Sequence, residues 1–463
     1  MKVNCHRTGR RVIYHRKKDS RSSVSNYRPV SLTSFVCKVM EKLLRKPLLH
    51  HMFCNELVSD YQHGFLPNRS CVTQLLEVLD RWTDILDRGD VLDVIYLDLA
   101  KAFDSVPHRR LLLKLKSYGV SGRFLSWIES FLLDRSQRVM VAGTGSVWAS
   151  VLSGVPQGSV LGPVLFLCYI NDMPETVSSF IYMYADDTKI GRAVSSTEDS
   201  RRLQADLDRV QEWSDKWQLR FNSSKCKVMH LGYNNSKAEY SMNCDGSKVV
   251  LESSAEEKDL GVWIDDKLKF ASHVGHVVAK SNQILGLIKR SFQYKEADMV
   301  KKLFTALVRP HLEYANVVWH PRFKKEIVQI ERVQRRATKL VPGLRDAPYE
   351  DRLQQLDLPS LVYRRYRGDM IEVYKYVNGL NYTSHNGLLP RASALGLRGH
   401  DFKLKKRLCR TGLKLNFFTY RVVSLWNHLP ATVVNASSLN TFKGRLDNYW
   451  GLRRYSIDPD CFV

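Results

Sequence analysis

The stretch YMYADDTKI, residues 182–190, places two adjacent carboxylates inside a segment whose other residues favour a buried β-hairpin. Asp186 and Asp187 stand at the predicted turn, and we expect the apolar residues Ile181, Met183 and Ala185 to hold that turn rigid. Because Asp is common in turns, an isolated Asp-Asp pair is compatible with a plain solvated turn. The pair therefore has to be weighed together with the other acidic positions of the chain.

A second acidic position follows the β-prone residues 94–97, at Asp98. If this strand and the hairpin pair in one sheet, Asp98 lies at the same edge as Asp186 and Asp187. Three carboxylates repel each other, and a divalent cation removes that repulsion. Oxygen ligands without His or Cys select a hard ion such as Mg²⁺, and two such ions ~3.5–4 Å apart support in-line phosphoryl transfer. The pattern predicts a two-metal site, with Mn²⁺ as a possible substitute.

The chain carries a large excess of positive charge. Its 463 residues include 71 Lys and Arg against 47 Asp and Glu, a formal charge of +24. This favours a nucleic-acid partner, and an anionic membrane is the weaker alternative. The longest apolar run, 160–170, is too short to span a bilayer, which predicts no membrane insertion. The nine cysteines form no Cys-x-x-Cys set, so we expect a reduced intracellular compartment and no zinc site.

Hydrophobic periodicity predicts an α+β chain. We expect amphipathic helices over 35–52, 71–89, 108–120 and 122–135, a buried helix over 160–170, and a long helix from about Thr197. In the first of these helices, Val36, Val39, Met40, Leu43 and Leu44 form the apolar face. Strands are expected over 94–97, 137–143, 148–154, 180–194, 226–232 and 258–265, with a polar stretch at 232–258 and mostly helix from 271 onward.

Five ordered motifs resemble one enzyme family. They are NYRPVSLTSFVCKVMEKLL (26–44), QHGFLPNRS (62–70), DLAKAFDSVPH (98–108), GVPQGSVLGPVLF (154–166) and YADDTKI (184–190). Together they resemble the reverse transcriptase of non-LTR retrotransposons of the LINE class, in the Jockey-like branch, and residues 417–447 resemble the tail segment of that branch. The resemblance implies a right-hand polymerase with fingers, a palm with an antiparallel sheet and a helical thumb, plus a mainly helical basic C-terminal domain.

The resemblance also implies a division of the chain and a reaction. The expected segments are a basic N-terminal arm (1–28), fingers and palm (29–250), primer grip and thumb (251–345) and a basic C-terminal domain (346–463). The implied activity is RNA-directed DNA synthesis, in which a DNA primer is extended with dNTPs on an RNA template. In that family an apurinic-type endonuclease domain normally precedes the polymerase, and this sequence shows none. We therefore expect a truncated copy or a fragment.

Site residues follow from the motifs by position. In that family the residue matching Asp98 binds metal with the carbonyl of the next residue, here Leu99, and the Asp186–Asp187 pair completes the catalytic and metal-binding set. Phe103 matches the aromatic residue that closes off the sugar 2′ position and so favours deoxynucleotides. Without the resemblance, Phe103 is equally compatible with an ordinary core position.

Four further residues are implied to bind substrate. Gln157 would hydrogen-bond across the incoming nucleotide, and Gly158 would let the backbone approach the base pair. Arg69 matches the fingers arginine that contacts the triphosphate, and Lys225 matches a lysine near the leaving pyrophosphate. Each residue type alone is compatible with a turn or a surface charge.

Two other functions stay open from the sequence. An RNA-dependent RNA polymerase would share the acidic residues, and Phe103 argues against it. A catalytically silent retrotransposon remnant that only binds nucleic acid would need no more than the basic arm and the C-terminal basic clusters. The sequence leaves the oligomeric state open, and a location in the nucleus is implied by the family's way of life alone.

Overall fold

The computed structural model describes residues 10–15, 27–138, 140, 141, 144–244, 246–382, 387–392 and 399–462. The chain divides into two compact units. The first unit comprises Met1–Pro67, Asp93–Val228 and Ser236–Ser253, and the second comprises Asn68–Leu92, Met229–Asn235 and Ser254–Val463. The predicted four-segment division stays a prediction, and most of the predicted basic arm lies outside the described residues.

The strands are given first, in chain order. They are β1 (Arg10–His15), β2 (Tyr27–Leu32), β3 (Leu92–Leu97), β4 (Ser136–Gln137), β5 (Met140–Val141), β6 (Thr144–Gly145), β7 (Ala149–Ser150), β8 (Phe180–Tyr184), β9 (Asp187–Ala193), β10 (Lys227–Leu231), β11 (Ser241–Cys244), β12 (Ser247–Val250), β13 (Glu252–Ser253), β14 (Glu256–Asp259) and β15 (Val262–Asp265).

The helices follow in the same order. They are α1 (Phe35–Cys54), α2 (Cys71–Arg88), α3 (Ala102–Ser105), α4 (His108–Ser117), α5 (Gly122–Leu132), α6 (Gly162–Ile170), α7 (Thr197–Trp217), α8 (Ala271–Ser291), α9 (Ala297–Leu303), α10 (Arg309–Glu313), α11 (Asn316–Trp319), α12 (Lys324–Thr338), α13 (Tyr349–Gln355), α14 (Leu361–Val377), α15 (Gly412–Leu415), α16 (Phe418–His428), α17 (Ala431–Val434) and α18 (Leu439–Trp450). The mixture of helices with a central sheet confirms the α+β class.

A five-stranded sheet with the order β13-β10-β3-β9-β8 carries the sequence motifs. Strands β8 and β9 form the predicted antiparallel hairpin, and β10 pairs with β13 in parallel. Helix α6 is apolar on all sides and is buried except at Pro163, as the sequence predicts for a buried helix. Helix α7 buries Leu203, Leu207 and Val210 in the same core.

Helix α1 turns a different face inward from the one that its periodicity predicts. Val36 and Leu43 are 61% and 63% exposed, whereas Cys37, Glu41 and Leu48 are buried. The reason is a buried hydrogen-bond acceptor. The Glu41 carboxylate accepts hydrogen bonds from the backbone N–H groups of Val160 and Leu161, so the side of α1 that carries Glu41 is turned toward the protein interior. The predicted apolar face is wrong, although the helix itself is confirmed.

Two other stretches differ in detail from the prediction. The expected strand pair 137–143 and 148–154 forms two shorter antiparallel ladders, β4 with β7 and β5 with β6. The stretch 232–258 contains the hairpin β11–β12, which the sequence did not reveal. Its buried residues Tyr240 and Met242 are isolated among polar ones, and Tyr240 donates a hydrogen bond of 2.7 Å to Asp93.

The second unit is mainly helical, as predicted, and contains buried ion pairs. Asp369 on α14 is completely buried and accepts hydrogen bonds from Arg421 at 2.7 and 3.0 Å. Burial alone would raise the pKa of its carboxyl group, but the positive charge of Arg421 lowers this pKa below its ordinary value. Lys414 is fully buried between Asp80 and Asp84 of α2. Lys414 belongs to the basic cluster 403–414 that the sequence favours for nucleic-acid contact, and its burial removes it from that role. Among the described residues, no helix is long and apolar enough to cross a membrane, and the eight described cysteines are free thiols.

Candidate active site

The Asp186–Asp187 turn is held by a segment that lies more than 120 residues upstream. Tyr184 pairs with Asp187 in the hairpin, and Ala185 adopts a φ of 54°, a conformation that is unusual for alanine. The side-chain oxygen of Gln62 accepts the Ala185 N–H at 2.8 Å and the Gly64 N–H at 2.7 Å. The turn therefore keeps an unfavourable backbone conformation because a buried glutamine satisfies its donor.

Backbone contacts complete this support. The Met183 N–H donates to the Tyr61 carbonyl at 2.9 Å, and the His63 N–H donates to the Met183 carbonyl at 2.8 Å. A Cβ atom at Gly64 would lie 2.5 Å from the Ala185 nitrogen, so only glycine fits. The predicted apolar flanks Ile181, Met183 and Ala185 are all buried, and the rigidity that we expect from them stays a prediction.

Asp98 emerges beside this turn because β3 and β9 are neighbours in the sheet. A Cβ atom at Gly191 would lie 2.8 Å from the Asp93 carbonyl, and the Lys189 ammonium group is 5.9 Å from the Tyr96 ring centroid. Residue numbers thus rise along β3 as they fall along β9, so the two strands are antiparallel. The end of β3, which leads into Asp98, and the start of β9 therefore share one edge of the sheet.

The backbone around Asp98 is fixed by the segment that follows α7. The Asn222 N–H donates to the Asp98 carbonyl, and the Ala100 N–H donates to the Arg220 carbonyl, both at 2.8 Å. Leu99, between these bonds, is buried and bridges to Phe221. The chain position that is predicted to supply a metal-binding carbonyl is therefore held on both sides.

The Asp98 side chain has a cationic neighbour. The Lys225 ammonium nitrogen lies 3.3 Å from Oδ2 of Asp98, and both side chains are partly exposed. The thiol of Cys226 lies 3.5 Å from the Asp98 backbone nitrogen. Burial raises the pKa of this thiol to about 11, so it stays protonated near neutral pH. Lys225 and Asp98 were predicted as members of one site, and the structure brings them together.

The acidic residues differ in exposure. Asp98 and Asp186 are half-buried, and Asp187 is exposed. Across the part of the chain that the structure describes, no group of three or more His, Cys, Asp or Glu side chains is arranged as a metal site. The residue types at this edge nevertheless suit a hard divalent ion, because Asp98 follows β3, Asp187 begins the neighbouring strand β9, and carboxylate oxygens are the ligands that such an ion prefers. The metal-binding roles of Asp98, Leu99, Asp186 and Asp187 stay predictions.

Phe103 lies where two predicted motifs meet. Its ring stacks on Phe166 with centroids 4.5 Å apart and makes an edge contact with Phe65 at 6.2 Å. The Val155 N–H donates to the Phe103 carbonyl at 2.8 Å, which joins the Asp98 segment to the Gly-rich loop. The contacts with Phe166 and Phe65 hold the half-buried Phe103 ring in one position.

The loop that carries Gln157 and Gly158 packs on β2. The Gln157 carbonyl accepts the Ser31 N–H at 2.7 Å. Gly158 has a φ of 96°, and a Cβ atom there would lie 2.9 Å from the Ser31 carbonyl. The glycine is therefore required by backbone packing, and Gly158 itself remains exposed at the surface of the loop.

Arg69 belongs to the second unit, where its guanidinium group lies 3.5 Å from the ring centroid of Tyr382. The Tyr382 N–H also donates to the Asn68 carbonyl at 2.9 Å. This stacking, a common arrangement for arginine, fixes the plane of the guanidinium group. The predicted contact of Arg69 with a triphosphate stays a prediction.

Comparison with known proteins identifies the family. Residues 15–287 match the family described as reverse transcriptase (RNA-dependent DNA polymerase). The chain belongs to the reverse transcriptase family. The match covers more than half of its residues, and it confirms both the resemblance and the right-hand polymerase fold. Members of this family depend on divalent metal ions in general.

Two individual relatives of this chain come from mobile elements of Drosophila melanogaster. The RNA-directed DNA polymerase from mobile element jockey is 27% identical over 419 residues, which is 86% of this chain and 44% of the relative. The probable RNA-directed DNA polymerase from transposon BS is 26% identical over 73% of this chain and 38% of the relative. The chain thus spans less than half the length of these relatives, and the relatives are of the non-LTR, LINE type.

Solved telomerase structures are similar as well. The apo telomerase from Candida Tropicalis matches over 77% of this chain and 62% of its own, with a TM-score of 0.42 and 10% identity. A telomerase from Candida albicans in complex with a TWJ fragment of telomeric RNA matches over 81% of this chain and 64% of its own, with a TM-score of 0.37 and 14% identity.

Three residues around the candidate site escaped the sequence reasoning. Gln62 and Gly64 support the Asp186–Asp187 turn, whereas the sequence reasoning singled out only Arg69 in the motif QHGFLPNRS. Glu41 accepts the N–H groups of Val160 and Leu161 at 2.6 and 2.9 Å, directly after the loop with Gln157. Glu41 is the one acidic residue of α1, a helix that otherwise carries basic and apolar residues, and this was the available signal. Its hydrogen-bond partners could be found in the structure only.

Proposed function

We propose that this chain is the polymerase portion of a non-LTR retrotransposon protein, and that it extends a DNA primer with dNTPs on an RNA template. The observation that carries the proposal is the shared sheet edge. Asp98 follows β3, and the Asp186–Asp187 pair lies where β9 begins, in a chain of the reverse transcriptase family. In the reaction, the primer 3′-oxygen attacks the α-phosphorus of the dNTP, the α–β phosphoanhydride bond breaks, and pyrophosphate leaves.

The carboxylates of Asp98, Asp186 and Asp187 and the carbonyl of Leu99 would hold two Mg²⁺ ions, for which Mn²⁺ could substitute. Bound ions of this kind lower the pKa of the attacking hydroxyl group and neutralise charge on the leaving oxygen. The protein's own part is to hold the carboxylates in place. Gln62 does so for the turn, and the bonds from Asn222 and Ala100 do so for Asp98.

The substrate contacts are also part of the proposal. Phe103 would exclude a 2′-hydroxyl group because its ring is stacked on Phe166 and cannot withdraw without losing that contact. Gln157 and Gly158 would lie against the nascent base pair. Lys225 would leave its contact with Asp98 and bind the departing pyrophosphate. Arg69 would bind the triphosphate, with its guanidinium group oriented by stacking on the Tyr382 ring.

Template and primer would be bound chiefly through their phosphates, as the charge of +24 favours. The hairpin β14–β15 is the proposed primer grip, and its turn is fixed by a hydrogen bond of 2.7 Å from the Tyr314 hydroxyl to the Leu260 carbonyl. A nuclear location belongs to the same proposal and rests on the family alone.

Primer extension on poly(rA)/oligo(dT) with Mg²⁺ or Mn²⁺ tests the proposal. We expect extension by the wild-type protein and a loss of about 100-fold or more in Asp186→Asn, because a ligand at the reacting centre is removed. Asp215→Asn, the same change at an exposed position of α7, should retain full activity. Wild-type incorporation no higher than that of Asp186→Asn, together with intact RNA binding, would instead support the catalytically silent binder.

A further inference from the structure

A cavity of about 860 Å³ lies in the first unit, between the start of α4 and the β4–β7 ladder. Its size is within the range of ligand-binding sites. Its lining combines apolar residues with charged and hydroxyl side chains, the latter including Ser105, His108, Arg109, Arg110, Arg135 and Ser153. None of these residues has a role in the proposed reaction.

The walls of the cavity are fixed by backbone pairing. Pro107 bridges to Ser153, and Ser136 pairs with Ser150 in the β4–β7 ladder. The Val151 N–H donates to the Arg135 carbonyl at 2.8 Å. The arginine side chains therefore project from positions that the backbone holds in place.

The lining is strongly basic. Three arginines face the cavity against one carboxylate, that of Asp134. Helix α4 begins directly after Pro107, whose side chain has no acceptor for the first N–H groups of the helix. The partial positive charge at this end of the helix therefore adds to the charge of the arginines. Guanidinium groups and serine hydroxyls are donors suited to phosphate oxygens. The chemistry of the cavity selects a phosphate-bearing ligand.

The cavity adjoins the loops of the candidate active site. The Ser153 hydroxyl donates to the Asp104 carbonyl at 2.9 Å, next to Phe103, and the Gly154 N–H donates to the Val106 carbonyl at 2.8 Å. Arg109 is exposed at the mouth. A ligand that extends past the mouth, such as a strand, fits these features better than a small enclosed anion.

We propose that this cavity binds backbone phosphates of single-stranded RNA, at a site separate from the acidic residues that carry the polymerase reaction. The binding site itself rests on the cavity. Its use for the template strand rests on the proposed function. Arg109 and Arg110 supply contacts at the mouth, and Arg135 supplies the contact inside.

Fluorescence anisotropy with a 5′-labelled 15-nucleotide RNA, in EDTA and without dNTPs, tests this site apart from catalysis. We expect Arg109→Ala/Arg110→Ala to weaken binding by roughly tenfold or more at low salt, because charge-assisted contacts are lost. The slope of log K against log salt should fall by about 0.7 for each lost phosphate contact. Thermal melting checks that the double variant, altered at the cavity mouth, is folded.

The matched control is Arg123→Ala/Arg201→Ala, which removes the same charge from exposed positions of the first unit. It should bind RNA within about twofold of wild type, because distant exposed charges are screened. An equal loss in both double variants, wild-type binding in the cavity variant, or no RNA binding by wild type would each overturn the proposal.

Competition separates a strand from a small phosphate. Unlabelled RNA should displace the probe at far lower concentration than dTTP or pyrophosphate at equal phosphate concentration. Equal competition would overturn binding of a strand. A wild-type protein that binds RNA through the cavity but extends no primer leaves the cavity proposal intact and counts against the polymerase function alone.

Discussion

The Gln62 side-chain oxygen accepts the N–H of Ala185 at 2.8 Å, and through this bond a residue of the 61–64 segment holds the backbone of the turn before Asp186. The same oxygen binds the Gly64 N–H. A buried donor without an acceptor is costly, so the turn and its support depend on each other. The position of the two aspartates is thus decided by a residue with no chemical role of its own.

Gln62→Leu should lower primer extension far more than RNA binding. The change leaves two buried N–H groups without their acceptor, at a cost of about 1–3 kcal/mol each, and releases Ala185 from its unusual conformation. Extension rate and RNA affinity, measured in parallel, check this. Gln354→Leu, at an exposed position of the second unit, is the control. Unchanged extension in Gln62→Leu would contradict a role for this contact.

Gly154→Ala should lower both stability and extension. Gly154 has a φ of 91°, and its Cβ would lie 2.7 Å from the Asp104 carbonyl oxygen. Gly246→Ala is a matched control, because Gly246 has a φ of 84° and open space around it. The control carries the conformational strain of about 1 kcal/mol without the clash. Equal melting temperatures for the two variants would show that the close approach to Asp104 is unimportant.

Glu41 predicts a pH dependence of stability. Burial raises the pKa of its carboxyl group above the ordinary 4.5, against the opposing effect of the N–H groups of Leu161 and Val160. The folded state then binds more protons than the unfolded state above pH 4.5, so this contribution to stability is complete at lower pH and is lost as the pH rises through the raised pKa.

Glu41→Gln should therefore gain stability relative to wild type as the pH rises from 4.5 to 8, since one side-chain oxygen of glutamine can accept both N–H bonds. Melting temperatures across this range measure the difference. Glu129→Gln, an exposed residue of α5, should show a constant difference. A Glu41→Gln difference that is equally flat would rule out the raised pKa.

Phe103→Ala should relax the choice of sugar. Removing the ring opens the space beside Phe166 that a 2′-hydroxyl group would need. The ratio of UTP to dTTP incorporation should therefore rise by about tenfold or more, which corresponds to a loss of about 1.4 kcal/mol or more in discrimination between the two sugars. Phe131→Leu, a conservative change in the same core, should leave the ratio unchanged. A wild-type ratio in Phe103→Ala would remove this residue from the proposed sugar contact.

Lys414→Met should destabilise the second unit strongly. The ammonium group is fully buried, 2.7 and 2.8 Å from the carboxylates of Asp80 and Asp84. Leaving these charges unpaired costs about 3–5 kcal/mol in free energy of unfolding. Denaturant unfolding compares it with Lys405→Met, an exposed residue of the same basic cluster, which should stay close to wild type. Equal midpoints for the two variants would contradict a structural role for Lys414.

The sequence by itself determined the secondary structure around the site and the identity of the acidic residues. The alternation of apolar residues in 180–194 and the β-prone run before Asp98 depend on local backbone preferences, so they could be recognised without neighbours. The ordered motifs likewise determined the family. Helix α6 was predictable because it is apolar on every face.

The tertiary structure decided which contacts hold these pieces together. Glu41 reversed the predicted face of α1, and Gln62 supports the Asp186–Asp187 turn, because each satisfies backbone donors that are more than 110 residues away in the chain. Lys414 changed from a predicted surface charge to a buried ion-pair partner because the carboxylates of Asp80 and Asp84, far away in the chain, form ion pairs with its ammonium group. A polar side chain is placed by its partner, and the partner becomes visible only when the chain is folded.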